Sequence, residues 1–276
     1  MAEIIVECKR MGILVLPPDV NESFGDFTVV KKDQSNREEI RFGLYSVKNL
    51  GTDIAQSIID EGKNAGEYKS FADFLTRVKH KNLNKKSLES LIKCGAMDKL
   101  GERGAMLASA EEALNYNRQS GMANENQTSL FGGMESAAPV FRLKDAPEAS
   151  KEEKLAWEKE LLGLYVSGHP LDKYRERLEK RDIDVRRVKE NMRDGMSCVI
   201  AGIIEEAKIV FTKNNDQMAF IKLTDLSGTI ETVAFPKIFK EFKDLFVKDK
   251  CIFIRGRVSG RNGETSILIE KAKELV

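Results

Sequence analysis

The sequence predicts an α+β multidomain protein: a helical domain with two similar helix-hairpin-helix units, a flexible linker, a helical connector and a five-stranded β-barrel. Three observations predict this arrangement. A segment with helical periodicity occurs twice, a stretch rich in Asn, Gly, Ser and Pro follows it, and the region from Met196 onward is rich in Val, Ile and Phe with alternation.

The composition excludes several classes of protein. The chain has 276 residues, of which 41% are hydrophobic and 32% charged, with a formal net charge of +1. This balance is typical of a soluble globular protein, and contact with a polyanion would have to come from local patches rather than from bulk charge. The four cysteines have no CxxC spacing, so neither a zinc site nor a disulfide framework is predicted. With no visible signal peptide and no apolar run of membrane-spanning length, we expect a cytoplasmic protein without a membrane partner.

The repeated segment predicts two short helices, each with one buried face. NLGTDIAQSIIDEG, Asn49–Gly62, and NLNKKSLESLIKCG, Asn82–Gly95, share Asn, Leu, Ser, Ile and Gly at matching positions. Their apolar residues recur at helical spacing, and the final Gly is expected to end each helix. A further helix is predicted before each copy, at Phe42–Lys48 and Phe71–Val78, so the order helix, hairpin, helix occurs twice.

The tight corner before each repeated helix is the candidate binding site. Asn and Gly tolerate positive φ, so Asn49–Gly51 and Asn82–Asn84 are predicted to point backbone N–H groups outward at the positive end of a helix, where a phosphate can bind. An ordinary N-cap role is the alternative. The basic run Arg77–Lys86 contains no acid and favours an anionic backbone as the partner. The candidate residues for this contact are Lys48, Asn49, Leu50, Gly51, Lys81, Asn82, Leu83, Asn84, Lys85 and Lys86.

The middle of the chain is predicted to be mobile. A helix at Glu102–Arg118 precedes residues 119–150, which show little periodicity. Within them, Gln127, Leu130 and Phe131 have the form of a docking peptide, with two apolar anchors and a polar residue for orientation. Packing of the Leu-Phe pair against its own domain is an equally open interpretation.

Residues 151–195 are predicted to form a helical connector without chemistry. Helices are expected at Lys151–Leu162 and Leu171–Lys180. Asp182 and Asp184 are paired carboxylates of a type that can hold Mg²⁺, and His169 lies in a nearby turn, but no third acid or phosphate loop is close. An enzyme that acts through these three residues is the least favoured hypothesis. We expect no catalytic and no metal-binding residue in the chain.

The region 196–276 is predicted to form the β-barrel. Its elements are the strands Cys198–Phe211, Met218–Asp225 and Thr229–Phe235, the helix Pro236–Phe246, and the strands Cys251–Val258 and Thr265–Ile269. This order is that of an OB-fold, which commonly binds single strands on its strand 2–3 face and adjoining loops. Either the rings stack on bases or they all belong to the core. The candidates for single-strand binding are Phe211, Lys213, Phe220, Lys222, Arg255, Arg257 and Arg261.

With these parts in order, the chain resembles the bacterial C-family replicative polymerases, the DNA polymerase III alpha subunits. The resemblance lies in five stretches, which are ECKRMGILVLPPDVN (Glu7–Asn21), IRFGLYSVKNLG (Ile40–Gly51), LIKCGAMD (Leu91–Asp98), EKELLGLYVSGHPL (Glu158–Leu171) and MAFIKLTDLSGTIETVAFP (Met218–Pro236). Together they span most of the chain and are specific, although none is decisive alone.

The resemblance implies a role for each region. Residues 1–39 would end the fingers, 40–118 would grip duplex DNA, 119–150 would carry a sliding-clamp-binding motif, and 196–276 would lie near the single-stranded template. Gln127, Leu130 and Phe131 match that clamp motif. The implied partners are double-stranded DNA, single-stranded DNA, the sliding clamp and other replicase subunits.

Two departures from the family pattern matter. The corner residues Asn49, Asn82 and Asn84 stand where many helix-hairpin-helix corners have Gly, so a less open cradle is expected. The catalytic acids of the palm are missing, so the chain is expected to be inactive alone and to hold no cofactor, with Mg²⁺ bound only in the palm. The alternative is a stand-alone nucleic-acid-binding accessory protein that reuses these modules.

Overall fold

The computed structural model describes residues 8, 11–32, 35–125, 141–179, 183–261 and 264–275. The chain divides into two compact units, Met1–His169 and Pro170–Val276. Among the described residues, no helix is both long enough and apolar enough to cross a membrane. The same residues contain no group of three His, Cys, Asp or Glu side chains that could hold a metal ion.

Within the described ranges, the first unit contains a small sheet and six α-helices. The sheet consists of β1 (Val15–Leu16), β2 (Thr28–Lys32) and β3 (Ser35–Arg41). The central strand β3 is parallel to β1 and antiparallel to β2. The helices are α1 (Thr52–Ala65), α2 (Phe71–Arg77), α3 (Lys85–Lys93), α4 (Arg103–Ala108), α5 (Ala110–Glu125) and α6 (Lys151–Leu162). They share one hydrophobic core with the sheet, and its largest fully buried side chains include Phe42, Phe71 and Phe74.

Three helical predictions need correction. The helix predicted at Phe42–Lys48 is a single 3-10 turn, Leu44–Ser46, and the helix predicted at Glu102–Arg118 is broken at Ser109 between α4 and α5. Gly62 does not end α1, which continues to Ala65 and stops at Gly66 with φ 81°. Residues 63–65 are compatible with a helix, so the helix ends only where a later glycine permits a positive φ.

The second repeat ends as predicted. α3 stops at Lys93, and Gly95 follows with φ 86°. A Cβ atom on Gly95 would lie 2.3 Å from a guanidinium nitrogen of Arg103, so a side chain has no room at this position. Both the backbone angle and the close approach therefore require glycine.

Part of the predicted linker packs on the helical unit. α5 continues to Glu125, and the ring of Phe141 lies 5.8 Å from that of Phe71 and 5.4 Å from that of Tyr116. The N–H of Ala149 donates to the Glu102 carboxylate, with an N–O distance of 2.9 Å. Residues 141–150 therefore belong to the helical unit. The predicted docking residues Gln127, Leu130 and Phe131 lie outside the described residues.

The second unit is the predicted OB-fold barrel, preceded by short helices. A 3-10 turn (Pro170–Tyr174), α7 (Arg175–Glu179) and α8 (Val185–Asn191) lead into β4 (Ser197–Phe211), β5 (Gln217–Thr224), β6 (Thr229–Ala234), α9 (Pro236–Phe242), β7 (Cys251–Arg261) and β8 (Glu264–Glu274). The strands form a closed barrel in the order β4-β5-β6-β8-β7. The β6–β8 pair is parallel and the other pairs are antiparallel. Barrel closure and strand order confirm the predicted fold.

The carboxylate Asp184 has a structural role in this unit. Its side chain caps α8 by accepting a hydrogen bond from the N–H of Arg187, with an O–N distance of 2.7 Å. Asp182, the other member of the predicted pair, lies outside the described residues.

Candidate nucleic-acid interface

The first corner, Asn49–Gly51, combines a buried anchor with exposed neighbours. Asn49 has φ 67°, in the left-handed region, and lies on the surface. The Leu50 side chain is 6% exposed, and its N–H donates to the carbonyl of Val47. Gly51 is the N-cap residue of α1 and makes no side-chain cap. The corner is therefore fixed by the core contact of Leu50, while the residues on either side face solvent.

Backbone donors in the first corner remain available. The N–H groups of Asn49, Gly51, Thr52 and Asp53 have no acceptor among the described residues. They lie at the start of a helix of 14 residues, where the helix dipole favours an anion. Lys48 beside them is exposed and has no ion pair within the described part of the chain. The corner can therefore offer amide donors and one ammonium group to a phosphate. The carboxylate of Asp53 would repel the phosphate and so oppose this contact.

The second corner, Asn82–Asn84, uses its amides internally. The N–H of Leu83 donates to the His80 carbonyl at 2.9 Å, and that of Asn82 to His80 Nδ1 at 3.2 Å. The N–H of Asn84 donates to Ser87 Oγ at 2.9 Å. The prediction of outward amides at Asn82–Asn84 is therefore wrong for these three groups.

A capping box closes the second corner. The Asn84 side chain accepts from the N–H of Ser87 at 3.1 Å, and Ser87 Oγ accepts from the N–H of Asn84 at 2.9 Å. The Ser87 hydroxyl also donates to the Asn82 carbonyl at 2.8 Å. Asn84 therefore has the ordinary N-cap role that was the alternative to phosphate binding. The backbone amides without an acceptor among the described residues at this corner are those of Lys81, Lys85 and Lys86.

Tertiary contacts neutralise much of the basic run. Arg77 contacts the carboxylates of Glu61 at 3.1 Å and Asp73 at 3.2 Å. Lys79 donates to the carbonyls of Leu75 at 3.0 Å and Asn117 at 2.6 Å, and desolvation lowers the pKa of its ammonium group. Neither of these side chains is available to an external anion.

The remaining lysines differ in availability. The ammonium group of Lys85 lies 2.7 Å from the carboxylate of Glu111. This hydrogen bond raises the pKa of Lys85 and lowers that of Glu111. Lys81 and Lys86 are exposed, and neither forms an ion pair within the described ranges. The second corner therefore offers two unpaired ammonium groups and one paired group.

On the barrel, the predicted rings are exposed. Phe211 is 63% exposed and Phe220 is 36% exposed, so neither belongs to the core. Phe220 lies opposite Lys208 on β4 and Val233 on β6. Because cross-strand partners share a face of the sheet, this row places an aromatic ring beside an ammonium group.

The predicted barrel residues do not form a single cluster. Arg255 and Arg257 lie opposite Val199 and Ser197, in the half of β4 that pairs with β7. Phe211 is at the other end of β4, where that strand pairs with β5. The remaining candidates are Lys213 in the β4–β5 turn, Lys222 on β5 and Arg261 at the end of β7.

Acids compete for two of the barrel cations. Lys222 lies across from Glu206 on one side and Glu231 on the other. Arg257 Nε is 2.7 Å from the Glu270 carboxylate. The barrel face is therefore less positive than its list of basic residues indicates.

Sequence reasoning missed several exposed apolar side chains of the barrel, and Ile209 and Phe235 are two of them. Ile209 is 53% exposed and Phe235 is 45% exposed. Ile209 follows the alternation of a core residue, but this part of β4 pairs with β5 and not with β7. The sequence pattern did not define where each strand extends beyond the barrel core, so it could not distinguish these positions from core positions.

Two family models and a set of curated relatives match the chain. A helix-hairpin-helix motif matches residues 12–106, and an OB-fold nucleic acid binding domain matches residues 198–275. The DNA polymerase III subunit alpha of Saccharopolyspora erythraea is 38% identical over 287 residues, covering 99% of this chain and 23% of that protein. The corresponding subunit of Aquifex aeolicus is 37% identical over 259 residues, with 92% and 20% covered.

A third relative agrees with the first two. The subunit of Deinococcus radiodurans is 37% identical over 288 residues, covering 98% of this chain and 21% of that protein. The chain thus spans about a fifth of the length of these relatives. By sequence over nearly its whole length, and by its two matched domains, the chain belongs to the DNA polymerase III alpha subunit family.

Proposed function

We propose that this chain is a DNA-binding segment of a replicative DNA-directed DNA polymerase, and that its helical unit holds the phosphates of duplex DNA. The observation that carries this proposal is that the backbone amides of Asn49 and Gly51, next to Lys48 and at the start of a long helix, have no acceptor among the described residues. Amides in this position suit an anion without reading a base. The contact is therefore independent of DNA sequence.

The two corners contribute differently in this proposal. The first supplies mainly backbone donors, because the Asn49 and Gly51 amides have no acceptor in the part of the chain that the structure describes. The second supplies mainly side-chain charge, through Lys81 and Lys86 and partly through Lys85. A duplex that spans both corners would be held by oriented dipoles at one point and by ammonium groups at the other.

The salt dependence of duplex binding tests this proposal. Each phosphate neutralised by a lysine contributes about −0.9 to the slope of log affinity against log salt. Replacing Lys48, Lys81 and Lys86 with Ala should reduce the slope by about 2–3 in total. Lys63→Ala is the matched control, because Lys63 lies at the opposite end of α1, roughly 15–20 Å from the corner. An unchanged slope in the triple variant would place the duplex elsewhere.

We further propose that Gln127, Leu130 and Phe131 dock on a sliding clamp. The support is their spacing and composition, together with the relation of the chain to the alpha subunit family. Substituting Ala at Leu130 and Phe131 should abolish capture of the chain by immobilised clamp, whereas Ser129→Ala should leave capture intact. Capture of the double variant by the clamp would show that Leu130 and Phe131 have another role.

The barrel is proposed to contact single strands through Phe220. Stacking of a base on an aromatic ring contributes about 1–3 kcal/mol, so Phe220→Ala should weaken binding of an oligothymidylate about tenfold. Leu226→Ala provides a control, since Leu226 is 42% exposed and lies outside the Phe220 row. Equal losses in both variants would contradict a stacking role.

Nucleotidyl transfer is proposed to depend on residues of the polymerase outside this chain. The purified chain, incubated with primed template, deoxynucleotides and Mg²⁺, should give no primer extension. Extension above that of a denatured sample would contradict this part of the proposal.

A further inference from the structure

One conspicuous sequence motif, EKELLGLYVSGHPL at Glu158–Leu171, is not explained by the duplex contact. Its first residue lies within α6, and its apolar residues Leu161, Leu162 and Leu164 belong to the core of the helical unit. The motif contains a charged residue, Glu158, whose side chain is fully buried. A buried carboxylate requires charged and hydrogen-bonding partners, so the partners of Glu158 show which parts of the fold contact the motif.

Glu158 joins α6 to the turn that follows it. Its Oε2 accepts hydrogen bonds from the N–H groups of Val166 at 3.0 Å and Ser167 at 2.9 Å. Gly163, which lies between Glu158 and Val166 in the sequence, ends α6 with φ 80°, in the left-handed region. The carboxylate therefore holds the returning chain against the helix from which it came.

Glu158 also joins α6 to the second helix-hairpin-helix copy. Its Oε1 lies 3.4 Å from a guanidinium nitrogen of Arg103, a side chain that is 3% exposed. That guanidinium also binds both oxygens of Asp98 at 2.8 Å and donates to the carbonyl of Lys93 at 2.9 Å. It packs against Gly95. One buried ion network thus connects α6 with the residue that ends α3 and the loop after it.

The charge balance of this network favours the ionised guanidinium. Burial alone lowers the pKa of Arg103, but the hydrogen bonds that Arg103 donates to Asp98 and the charges of Asp98 and Glu158 outweigh it and raise the pKa. Removing the negative charge of Glu158 leaves a buried guanidinium with one carboxylate partner, which is half exposed. The network is therefore sensitive to this single charge.

The same helix contacts the first corner. Near the C-terminus of α6, the carbonyl of Leu161 accepts a hydrogen bond from the N–H of Lys48 at 3.0 Å. Carbonyls in the last turn of a helix lack partners within the helix, so this bond also satisfies an otherwise unpaired group. Lys48 immediately precedes Asn49, whose own N–H has no acceptor within the described ranges. Helix α6 therefore contacts the chain one residue before the proposed phosphate donors.

We infer that α6 is a brace that fixes the first corner relative to the second helix-hairpin-helix copy, with Glu158 as a positioning residue for duplex binding. One end of the brace is the Glu158–Arg103 network and the other is the Leu161–Lys48 hydrogen bond, less than one helical turn away. The inference rests on the proposed duplex contact, because its functional consequence is the orientation of the Asn49 and Gly51 amides. Backbone donors act only when they are held in place, so loss of the brace should weaken the phosphate contact without removing any group that touches DNA.

The test uses Glu158→Gln in the full chain, with two independent readouts. The first is hydrogen exchange of the Lys48 amide, followed by NMR, which should accelerate about tenfold when the brace loosens. The second is duplex affinity at a temperature where the variant is fully folded, which should fall about fivefold. The matched control is Leu114→Ala, which removes a buried side chain from α5, a different helix of the same core. This control should lower the melting temperature but leave both readouts close to those of the wild type.

A milder variant covers the case in which Glu158→Gln does not fold. Asp98→Asn removes charge from the half-exposed partner of Arg103 and should accelerate Lys48 exchange about threefold. Unchanged exchange and affinity in the folded variant would overturn the brace, as would equal losses in Leu114→Ala. A wild-type chain that fails to bind duplex would overturn the proposed function instead. In that case, faster Lys48 exchange in Glu158→Gln would still support the brace.

Discussion

The two corners of the helical unit begin with the same dipeptide but expose different groups. Asn49 has φ 67°, whereas its counterpart Asn82 has no positive φ. The amide of Asn49 has no acceptor among the residues that the structure describes, whereas that of Asn82 donates to the His80 ring. The two copies therefore share the buried leucine and the following helix but differ in the arrangement of their backbone donors.

Two side chains account for much of this difference. Where the first copy has Gly51 and Ile54, the second has Asn84 and Ser87, which form the capping box. Gly51 has no side chain that could accept hydrogen bonds from the backbone amides in the first turn of α1. Those amides therefore have no side-chain cap. A good helix cap and an open phosphate site thus compete for the same amides.

The largest expected effect tests what the corners share. Leu50→Ala and Leu83→Ala each remove a side chain that is 6–7% exposed, and each should lower the free energy of unfolding by about 2–4 kcal/mol. Urea unfolding followed by Trp157 fluorescence measures this, because the single tryptophan lies in α6 of the helical unit. A cost below about 1 kcal/mol in one variant only would show that the two leucines are not equivalent anchors.

The next effect tests what separates the corners. Ser87→Ala removes one half of the capping box and should lower the free energy of unfolding by about 1 kcal/mol. It should also accelerate hydrogen exchange of the Asn84 amide, which loses its Ser87 acceptor. Ser57→Ala is the control, since Ser57 is the counterpart of Ser90 in the matching helix and lies away from the corner. Unaltered Asn84 exchange would mean that the box does not close the corner.

Charge availability in the second corner predicts a difference between neighbouring lysines. Lys86→Ala should reduce the salt slope of duplex binding by about 0.9, because its ammonium group is unpaired in the described structure. Lys85→Ala should reduce the slope less, since Glu111 already compensates that charge. Equal reductions would show that the Lys85–Glu111 pair opens when DNA binds.

The smallest effect is a pH dependence at the same pair. The hydrogen bond from Lys85 lowers the pKa of Glu111 below its ordinary value of 4.5. Glu111 is therefore ionised at neutral pH and gains a proton only as the pH falls through its lowered value. Glu111→Gln should raise duplex affinity about twofold at pH 7, and this advantage should disappear in the acid range where wild-type Glu111 is protonated. An advantage that persists below that range would assign the effect to another group.

The sequence predicted the repeats and the barrel because both follow from local periodicity. Helical spacing in Asn49–Gly62 and alternation in Cys198–Phe211 are visible without any tertiary contact. The same logic failed at Gly62, where a second glycine four residues later ends the helix instead. Local pattern thus identified the elements better than their boundaries.

The electrostatics of the site could not be predicted in this way. The basic run has no acid within it, but the fold brings Glu61 and Glu111 from distant positions onto Arg77 and Lys85. The role of Glu158 was equally hidden, since a glutamate in a charged helix is normally exposed. These features depend on which helices meet, which periodicity does not define.

In the proposed contact, the Asn49 and Gly51 amides of the first corner bind phosphate, whereas the Asn82 and Asn84 amides of the second corner are bonded internally and do not. The direct measurement is a ¹⁵N–¹H NMR titration of the chain with a short blunt DNA duplex. We expect large shifts of the Asn49 and Gly51 amides and little change at Asn82 and Asn84. Shifts confined to Asn82 and Asn84, or no shift at either corner when the duplex is bound, would contradict it.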